Sequence, residues 1–226
     1  MKHKFLLSIS LMSIFSVGCM GHGHGGGYGK HHNGEYGYGS STSNSGASGE
    51  IVSALEYMYD EERLAKDIYL ALYSKYKIRQ LYKIATNSET RHIDAVARLA
   101  RRYGVSTVEQ RVGEYRVSKI QTLYDKLYSK GIRSERDALE VGCMVEVTDI
   151  DDLNGYMEIA ERAGARDALQ TFDSLRRGSY NHYWAFDRAL KRMGISNGCC
   201  SLEREYCHPE YPQQNGRGGG KGRGGW

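Results

Sequence analysis

The segment that decides the fold of this chain is IATNSETRHIDA, residues 84–95. Apolar and small residues recur within it and on both sides of it at helical spacing, so it predicts an amphipathic helix. Glu89 and His92 are three residues apart and therefore project from one face, which the apolar stripe marks for burial. A carboxylate and an imidazole that enter a helical core together form the Glu-x-x-His unit that holds metal ions in some helical bundles.

The composition limits the classes of protein to which the chain can belong. Its 226 residues are enough for one ordinary domain with tails. The formal net charge is +4, and much of it lies in the glycine-rich ends, so the central part is near neutral and gives no support for nucleic-acid binding. No proline precedes Pro209, which is a pattern that permits long helices.

Residues 1–19 have the pattern of a signal peptide, with lysines at the start and then an apolar run. The run is shorter than the roughly 20 residues that a membrane span needs. Cys19 follows Gly18 directly, as in a bacterial lipoprotein signal, and we expect lipidation of Cys19. Cleavage after Gly18 by an ordinary signal peptidase is the alternative. Either process predicts an exported protein, periplasmic or anchored to the membrane as a lipoprotein.

Residues 20–50 are rich in glycine, histidine and serine and predict a disordered tether. Four of the histidines, His22, His24, His31 and His32, lie in this segment, and histidine-rich tracts bind metal weakly. A spacer that holds the domain away from a membrane is the interpretation we favour, with metal capture by the tether as the alternative.

Residues 195–226 form a tail with three cysteines and a Gly/Arg-rich end. In an exported protein these cysteines can form disulfides, either within the tail or with Cys143. A zinc site made of Cys199, Cys200, Cys207 and His208 is a further alternative. The spacing of the cysteines does not decide among these arrangements.

Residues 51–194 predict four long helices that begin near residues 51, 80, 134 and 165. The short connection at residues 77–79 favours antiparallel packing of the first two helices. Residues 104–133 predict a long crossover that contains a short helix near 120–129. Ser134 is expected to cap the third helix, with Asp137 three residues later.

Each of these four helices places polar side chains inside its apolar stripe. The groups are Glu62, Glu89 with His92, Glu146 with Asp149, and Ser179 with His182. An unpaired carboxylate in a core costs several kcal/mol, so it is normally protonated, paired or placed against a cation. No lysine or arginine lies on the same stripes, and a metal site is therefore favoured over a hydrogen-bonded polar core. Carboxylate and imidazole ligands suit iron or manganese, and zinc also fits.

Five motifs resemble a known family of bacterial and archaeal proteins, the DUF2202 family, which belongs to the ferritin-like superfamily. The motifs are YMYDEERLAKDIYL (57–70), IATNSETRH (84–92), ALEVG (138–142), EVTDIDDL (146–153) and GSYNHYWAF (178–186). The resemblance spans residues 51–194 and implies an all-α, ferritin-like four-helix bundle with a long crossover and up to two metal ions.

The resemblance also implies a role for each candidate ligand. Glu62 matches the ligand of the first helix, Glu89 the bridging carboxylate and His92 the imidazole of one metal ion. Glu146 matches the carboxylate of the third helix, and His182 matches the second imidazole.

Ser179 departs from the pattern, because a full di-iron site has glutamate at that position. Asp149, one turn from Glu146, is the residue that could compensate for it. The first hypothesis for function is therefore an exported di-metal protein that reacts with oxygen or peroxide. The second is a non-enzymatic metal-binding or scaffold lipoprotein with a vestigial site.

Overall fold

The segments without proline form long helices in the computed structural model, which describes residues 44–213. No β-strand occurs among these residues, and the predicted all-α bundle is confirmed. The helices are α1 (Asn44–Tyr76), α2 (Arg79–Lys83), a π-helical segment (Ile84–Glu89), α3 (Thr90–Arg102), α4 (Ser118–Gly131), α5 (Glu135–Arg162) and α6 (Arg166–Arg192).

Helix boundaries follow the sequence signals closely, with one extension. Helix α1 begins at Asn44, inside the segment predicted to be a disordered tether. Helix α5 is capped as predicted, because the Asp137 amide donates to the Ser134 hydroxyl at 3.0 Å. Helix α6 continues without interruption through Gly178.

The helix predicted for residues 80–103 is divided by the π-helical segment. The Thr90 hydroxyl donates to the carbonyl of Ala85, five residues earlier, at 3.1 Å, and so binds a carbonyl of the widened turn. A π turn holds one more residue than an α turn, so it changes the face from which the following side chains project. Such turns are rare and are frequent at functional sites. This one ends at Glu89.

The core of the bundle consists of two apolar clusters with a polar layer between them. In α1, the first cluster extends to Met58 and the second begins at Leu64. In α5, Ile150 belongs to the second cluster and Leu153 to the first. The candidate ligands lie between the clusters, so apolar packing on both sides keeps this layer away from bulk water.

The order of the clusters along each helix gives the helix directions. Helices α1 and α6 run from the first cluster to the second, whereas the segment 81–102 and α5 run the opposite way. Because α3 and α5 are parallel, their connection must pass along the length of the bundle. The predicted crossover provides this connection, and it contains α4.

Arg63 and Asp60 fasten the crossover to α1. The Arg63 guanidinium donates to three backbone carbonyls between residues 110 and 114, at 2.9 to 3.3 Å. The Asp60 carboxylate accepts from the Val117 amide at 2.8 Å. Both side chains are buried.

Two short 3-10 helices follow α6 and pack against the bundle; they are Gly198–Ser201 and Arg204–Tyr206. Disulfides join Cys143 to Cys199 and Cys200 to Cys207. These bonds use the sulfurs of the four cysteines among residues 44–213, so the alternative of a cysteine zinc site with His208 is wrong. The ordered structure thus continues past residue 194, the predicted end of the bundle.

Within residues 44–213, no helix combines the length and the apolar character that crossing a membrane requires. The predicted signal peptide with Cys19, the histidines of the tether and the Gly/Arg-rich end lie outside the described residues.

Candidate metal centre

Five helical elements of the bundle contribute the side chains of the polar layer. Glu62 comes from α1, Glu89 from the end of the π-helical segment, His92 from α3, Glu146 from α5 and His182 from α6. All five are buried, with at most 9% of their surface exposed. The helix faces predicted from the sequence therefore do converge in the core.

Glu62, Glu89 and His92 form one group of potential ligands. The His92 Nδ1 atom lies 3.1 Å from Glu62 Oε2 and 3.2 Å from Glu89 Oε2. One atom from each of the three side chains lies within 4.8 Å of the others. This arrangement places two carboxylates and one imidazole around one position.

Glu89, Glu146 and His182 form a second group of the same composition. The His182 Nδ1 atom lies 3.0 Å from Glu89 Oε1 and 3.3 Å from Glu146 Oε2. Glu89 is common to both groups and turns one oxygen towards each histidine. The two imidazole rings are 5.5 Å apart between centroids, so its carboxylate can bridge two neighbouring positions.

Unpartnered atoms test whether a metal ion fits these groups. Glu62 Oε1, Glu89 Oε1 and His182 Nδ1 are buried without a hydrogen-bond partner. His182 Nδ1 and Glu89 Oε1 are only 3.0 Å apart, yet their alignment does not make a hydrogen bond. Two ligands at right angles around an ion, each at about 2.1 Å, lie about 3 Å apart. The residues present therefore fit a metal ion.

The electrostatics of the two histidines reflect the carboxylates around them. Burial disfavours the charged imidazole of His182, but Glu146 and Glu89 outweigh it and raise its pKa to about 10. Burial acts in the same way on His92, and Glu62 and Glu89 raise its pKa well above the usual value. In the metal-free chain, these carboxylates therefore favour the doubly protonated, cationic form of both imidazoles, and a metal ion would displace the additional proton.

The carboxylates differ in how strongly the imidazoles stabilise their charge. Burial raises the pKa of Glu62 to about 7, although His92 opposes the shift. Burial also raises the pKa of Glu146, against the effect of His182. Burial acts on Glu89 as well, but His182 and His92 together lower its pKa below the usual range. Glu89 is therefore the carboxylate most firmly kept in the charged form that a metal ligand needs.

Three neighbouring residues hold the ligands in place. The Tyr69 hydroxyl donates to Glu146 Oε1 at 2.5 Å. The second ring nitrogen of His182 lies 2.7 Å from the Ser88 hydroxyl, and such partners orient metal-binding histidines. A side chain at Gly178 would place its Cβ 2.5 Å from His92 Nε2, so the glycine makes room for the ring. Ser88 and Gly178 have no distinctive sequence signal beyond their helical spacing.

Asp149 and Ser179 occupy the same layer but belong to neither group. The Ser179 hydroxyl donates to Asp149 Oδ2 at 2.5 Å, while Asp149 Oδ1 is buried without a partner. Burial, and then the negative charge of Glu62, raise the pKa of Asp149 well above its usual value. Ser179 is therefore hydrogen-bonded to Asp149, the residue that the sequence suggested as a replacement for the missing glutamate ligand.

Comparison with known proteins agrees with the resemblance in the motifs. Residues 52–207 match the family described as an uncharacterized protein domain, DUF2202. The chain is 37% identical over 159 residues to the uncharacterized protein MJ0754 of Methanocaldococcus jannaschii, with 70% of this chain and 84% of that protein covered.

A solved structure of the same relative extends the comparison to three dimensions. The crystal structure of the hypothetical protein MJ0754 matches with a TM-score of 0.59 and 38% identity, and the match covers 63% of this chain and 81% of that one. The family model matches more than half of the chain, and the relative is 37% identical over the 159 aligned residues. The chain therefore belongs to the DUF2202 family.

Proposed function

We propose that this protein is an exported, ferritin-like protein that binds two divalent metal ions, one at each of the two Glu/His groups. The observation that carries the proposal is Glu89, whose two carboxylate oxygens face two histidines from opposite sides of one buried layer. Glu62 and Glu146 complete the two ligand sets. The one long crossover between parallel helices also fits a ferritin-like bundle.

Iron or manganese is the preferred occupant, and zinc suits the same donor atoms. When bound, a pair of iron or manganese ions would supply electrons to oxygen or peroxide. The residues of the chain orient the centre and exclude water: Tyr69 holds Glu146, Ser88 holds His182, and the two apolar clusters cover the layer. Export and anchoring through Cys19 belong to the proposal and rest on the signal-peptide pattern alone.

Elemental analysis of the full chain, loaded with ferrous iron without oxygen or with manganese, tests the binding. We expect about two ions per chain, one for each ligand group, and a large loss in Glu89→Gln. Glu158→Gln, at an exposed glutamate of α5, is the matched control and should bind like the unchanged chain. Consumption of oxygen or peroxide by the iron-loaded chain then tests the redox chemistry.

A second candidate function is supported by the bond between Ser179 and Asp149. Ser179 supplies no carboxylate ligand. Its hydrogen bond also occupies one carboxylate oxygen of Asp149, the residue that could have replaced the missing glutamate. A metal-binding or scaffold lipoprotein with a vestigial site is consistent with that arrangement. In that case the chain would contain at most one ion, and Glu89→Gln would fold as stably as the unchanged protein.

A further inference from the structure

An open groove of about 550 Å³ lies between α3 and α6. At one end, the Arg102 guanidinium donates to the Asp167 carboxylate at 3.1 Å. The groove is lined by two residues of α3 and five of α6, which are Ala95, Arg102, Asp167, Gln170, Thr171, Ser174 and Leu175.

The other end of the groove lies beside the metal centre. Helices α3 and α6 run in opposite directions, so residues that come earlier in α3 face residues that come later in α6. Ala95 follows His92 by three residues, and Leu175 precedes Gly178 by three, so each wall ends one helical turn from this pair. His92 and Gly178 do face each other, because a Cβ on Gly178 would lie 2.5 Å from His92 Nε2. At this point α6 therefore has no side chain that would cover the imidazole ring.

The outer nitrogen of His92 is open to solvent. Among residues 44–213, only its Nδ1 atom has a hydrogen-bond partner, which is Glu62. The Nε2 atom is not enclosed, unlike the unpartnered Nδ1 of His182. His92 is 9% exposed and His182 is 7% exposed, whereas each of the three glutamates of the two groups is 2% exposed. The centre is therefore most open at its two histidines, which come from the helices on either side of the groove.

The two histidines differ in what their outer nitrogens contact. His182 Nε2 lies 2.7 Å from the Ser88 hydroxyl, which is a fixed partner within the chain. A metal-binding histidine normally donates its second N–H to a protein group or to water. His92 has no such protein group among the described residues, so its Nε2–H is free to donate to a molecule that arrives through the groove.

The lining of the groove favours an uncharged, polar molecule. Thr171 and Ser174 carry hydroxyls, and Gln170 carries an amide. The positive charge of Arg102 is offset by Asp167. Hydrogen peroxide is uncharged at neutral pH, donates and accepts hydrogen bonds, and is small enough to pass a position that has no side chain. The groove therefore suits peroxide better than an ion.

We propose that the groove between α3 and α6 is the entrance through which hydrogen peroxide, a small uncharged oxidant, reaches the metal centre, and that Gly178 leaves its inner end open. The inference rests on the proposed function for the chemistry at the centre. The opening itself rests on the groove and on the solvent contact of His92 Nε2.

Binding of nitric oxide, a small uncharged probe of ferrous iron, tests the entrance without turnover. The full chain is loaded with ferrous iron in the absence of oxygen, and the absorbance of the iron–nitrosyl complex is followed by stopped flow. We expect Ser174→Phe to slow the binding by about tenfold, the effect of a barrier raised by about 1.4 kcal/mol. Ala95→Phe fills the groove from the opposite wall and should act in the same way. Iron content should not change, and peroxide consumption should slow in parallel.

Ser129→Phe is the matched control, because Ser129 is an exposed serine of α4 and does not line the groove. It introduces the same ring elsewhere on the bundle and should bind nitric oxide at the unchanged rate. A second measurement needs no metal. Deuterium exchange at the Cε1 hydrogen of His92, followed by mass spectrometry, should slow in Ser174→Phe and not in Ser129→Phe. Circular dichroism verifies the fold of each variant.

The outcomes separate this proposal from the proposed function. Equal rates of nitric-oxide binding in Ser174→Phe, Ala95→Phe and Ser129→Phe overturn the entrance, even when the chain is full of iron. A chain that takes up no iron overturns the proposed function. In that chain, slower exchange at His92 in Ser174→Phe alone retains the opening of the groove to the histidine, and unchanged exchange overturns it as well.

Discussion

Helix α1 buries charged side chains on two faces, and the faces are neutralised in different ways. On one face, Asp60 and Asp67 lie on either side of Arg63, whose guanidinium also binds backbone carbonyls of the crossover. On the other face, Glu61 and Glu62 are equally buried, and no arginine or lysine of the described residues pairs with them.

Helix α5 repeats this difference. Its buried Glu140 accepts from Lys130 Nζ at 2.5 Å and from Arg136 Nε at 2.7 Å. Glu146, less than two turns further along, has only Tyr69 and His182. The chain thus supplies cations to buried acids elsewhere in the bundle, and the polar layer is where a positive charge from outside would be needed.

The largest expected effect comes from removing the cation of the first face. Arg63→Met leaves Asp60 and Asp67 buried without their shared partner and frees three crossover carbonyls. Loss of one partner of a buried charge pair costs about 3–5 kcal/mol. Urea denaturation should show this loss equally with metal and with chelator. If added metal abolished the loss of stability in Arg63→Met, the two charged faces of α1 would not be independent.

Supplying the missing cation to the second face should have the next largest effect. A ligand that binds only the folded state stabilises it by about 4 kcal/mol at a concentration 1,000 times its Kd. Added manganese should therefore raise the free energy of unfolding of the unchanged chain. Glu89→Gln, which removes the carboxylate common to both groups, should remove most of that gain, while Arg63→Met should retain it. If manganese does not raise the free energy of unfolding of the unchanged chain, the polar layer does not bind this metal.

The position of one histidine can be changed without altering any ligand. In Gly178→Ala, the new Cβ would lie 2.5 Å from His92 Nε2, so the ring must move. Overpacking of this kind costs about 1–3 kcal/mol, and metal affinity should fall as well. Gly155→Ala is the matched control, because no atom lies within 4 Å of its added Cβ. Replacing a helical glycine there should stabilise the chain slightly. Equal effects of the two changes would contradict close packing against His92.

Acidity provides a test that needs no substitution. In the metal-free chain the pKa of His182 is raised to about 10, above its value of about 6.5 in an unfolded chain. Its charge pairing stabilises the fold fully below about pH 6.5 and is lost as the pH rises towards 10. A metal ion must displace this proton, so the gain from metal should increase with pH, by about 1.4 kcal/mol per unit for one displaced proton. Denaturation at several pH values measures this slope, and a slope of zero would exclude histidine ligation.

The smallest expected effect serves as a reference for local stability. Ser134→Ala removes the cap of α5 and should cost about 1 kcal/mol. Because the cap is about three turns along α5 from Glu146, metal content should be unchanged. A change in metal content would indicate that loosening the start of α5 disturbs Glu146.

Much of the fold and of the candidate centre could be predicted from the spacing of residues. Helical periodicity is a local property, so it identified the buried faces and placed Glu62, Glu89, His92, Glu146 and His182 on them. The cap at Ser134 is local as well and was confirmed. Arg63 and Glu61 were missed, because a charged residue beside a stripe is normally exposed. Their burial depends on the crossover and on α5, which are distant in the sequence.

By itself, the sequence determined an all-helical chain whose buried stripes contain more carboxylates than protein cations. Only the tertiary structure decided which of those atoms meet, because helix packing joins residues as distant as Tyr69 and Glu146, 77 positions apart. It placed Glu89 between two histidines, paired Cys143 with Cys199, and bonded Ser179 to Asp149. The π-helical segment also lies beyond prediction from periodicity, since one extra residue in a turn leaves the stripe nearly unchanged but alters the directions of its side chains.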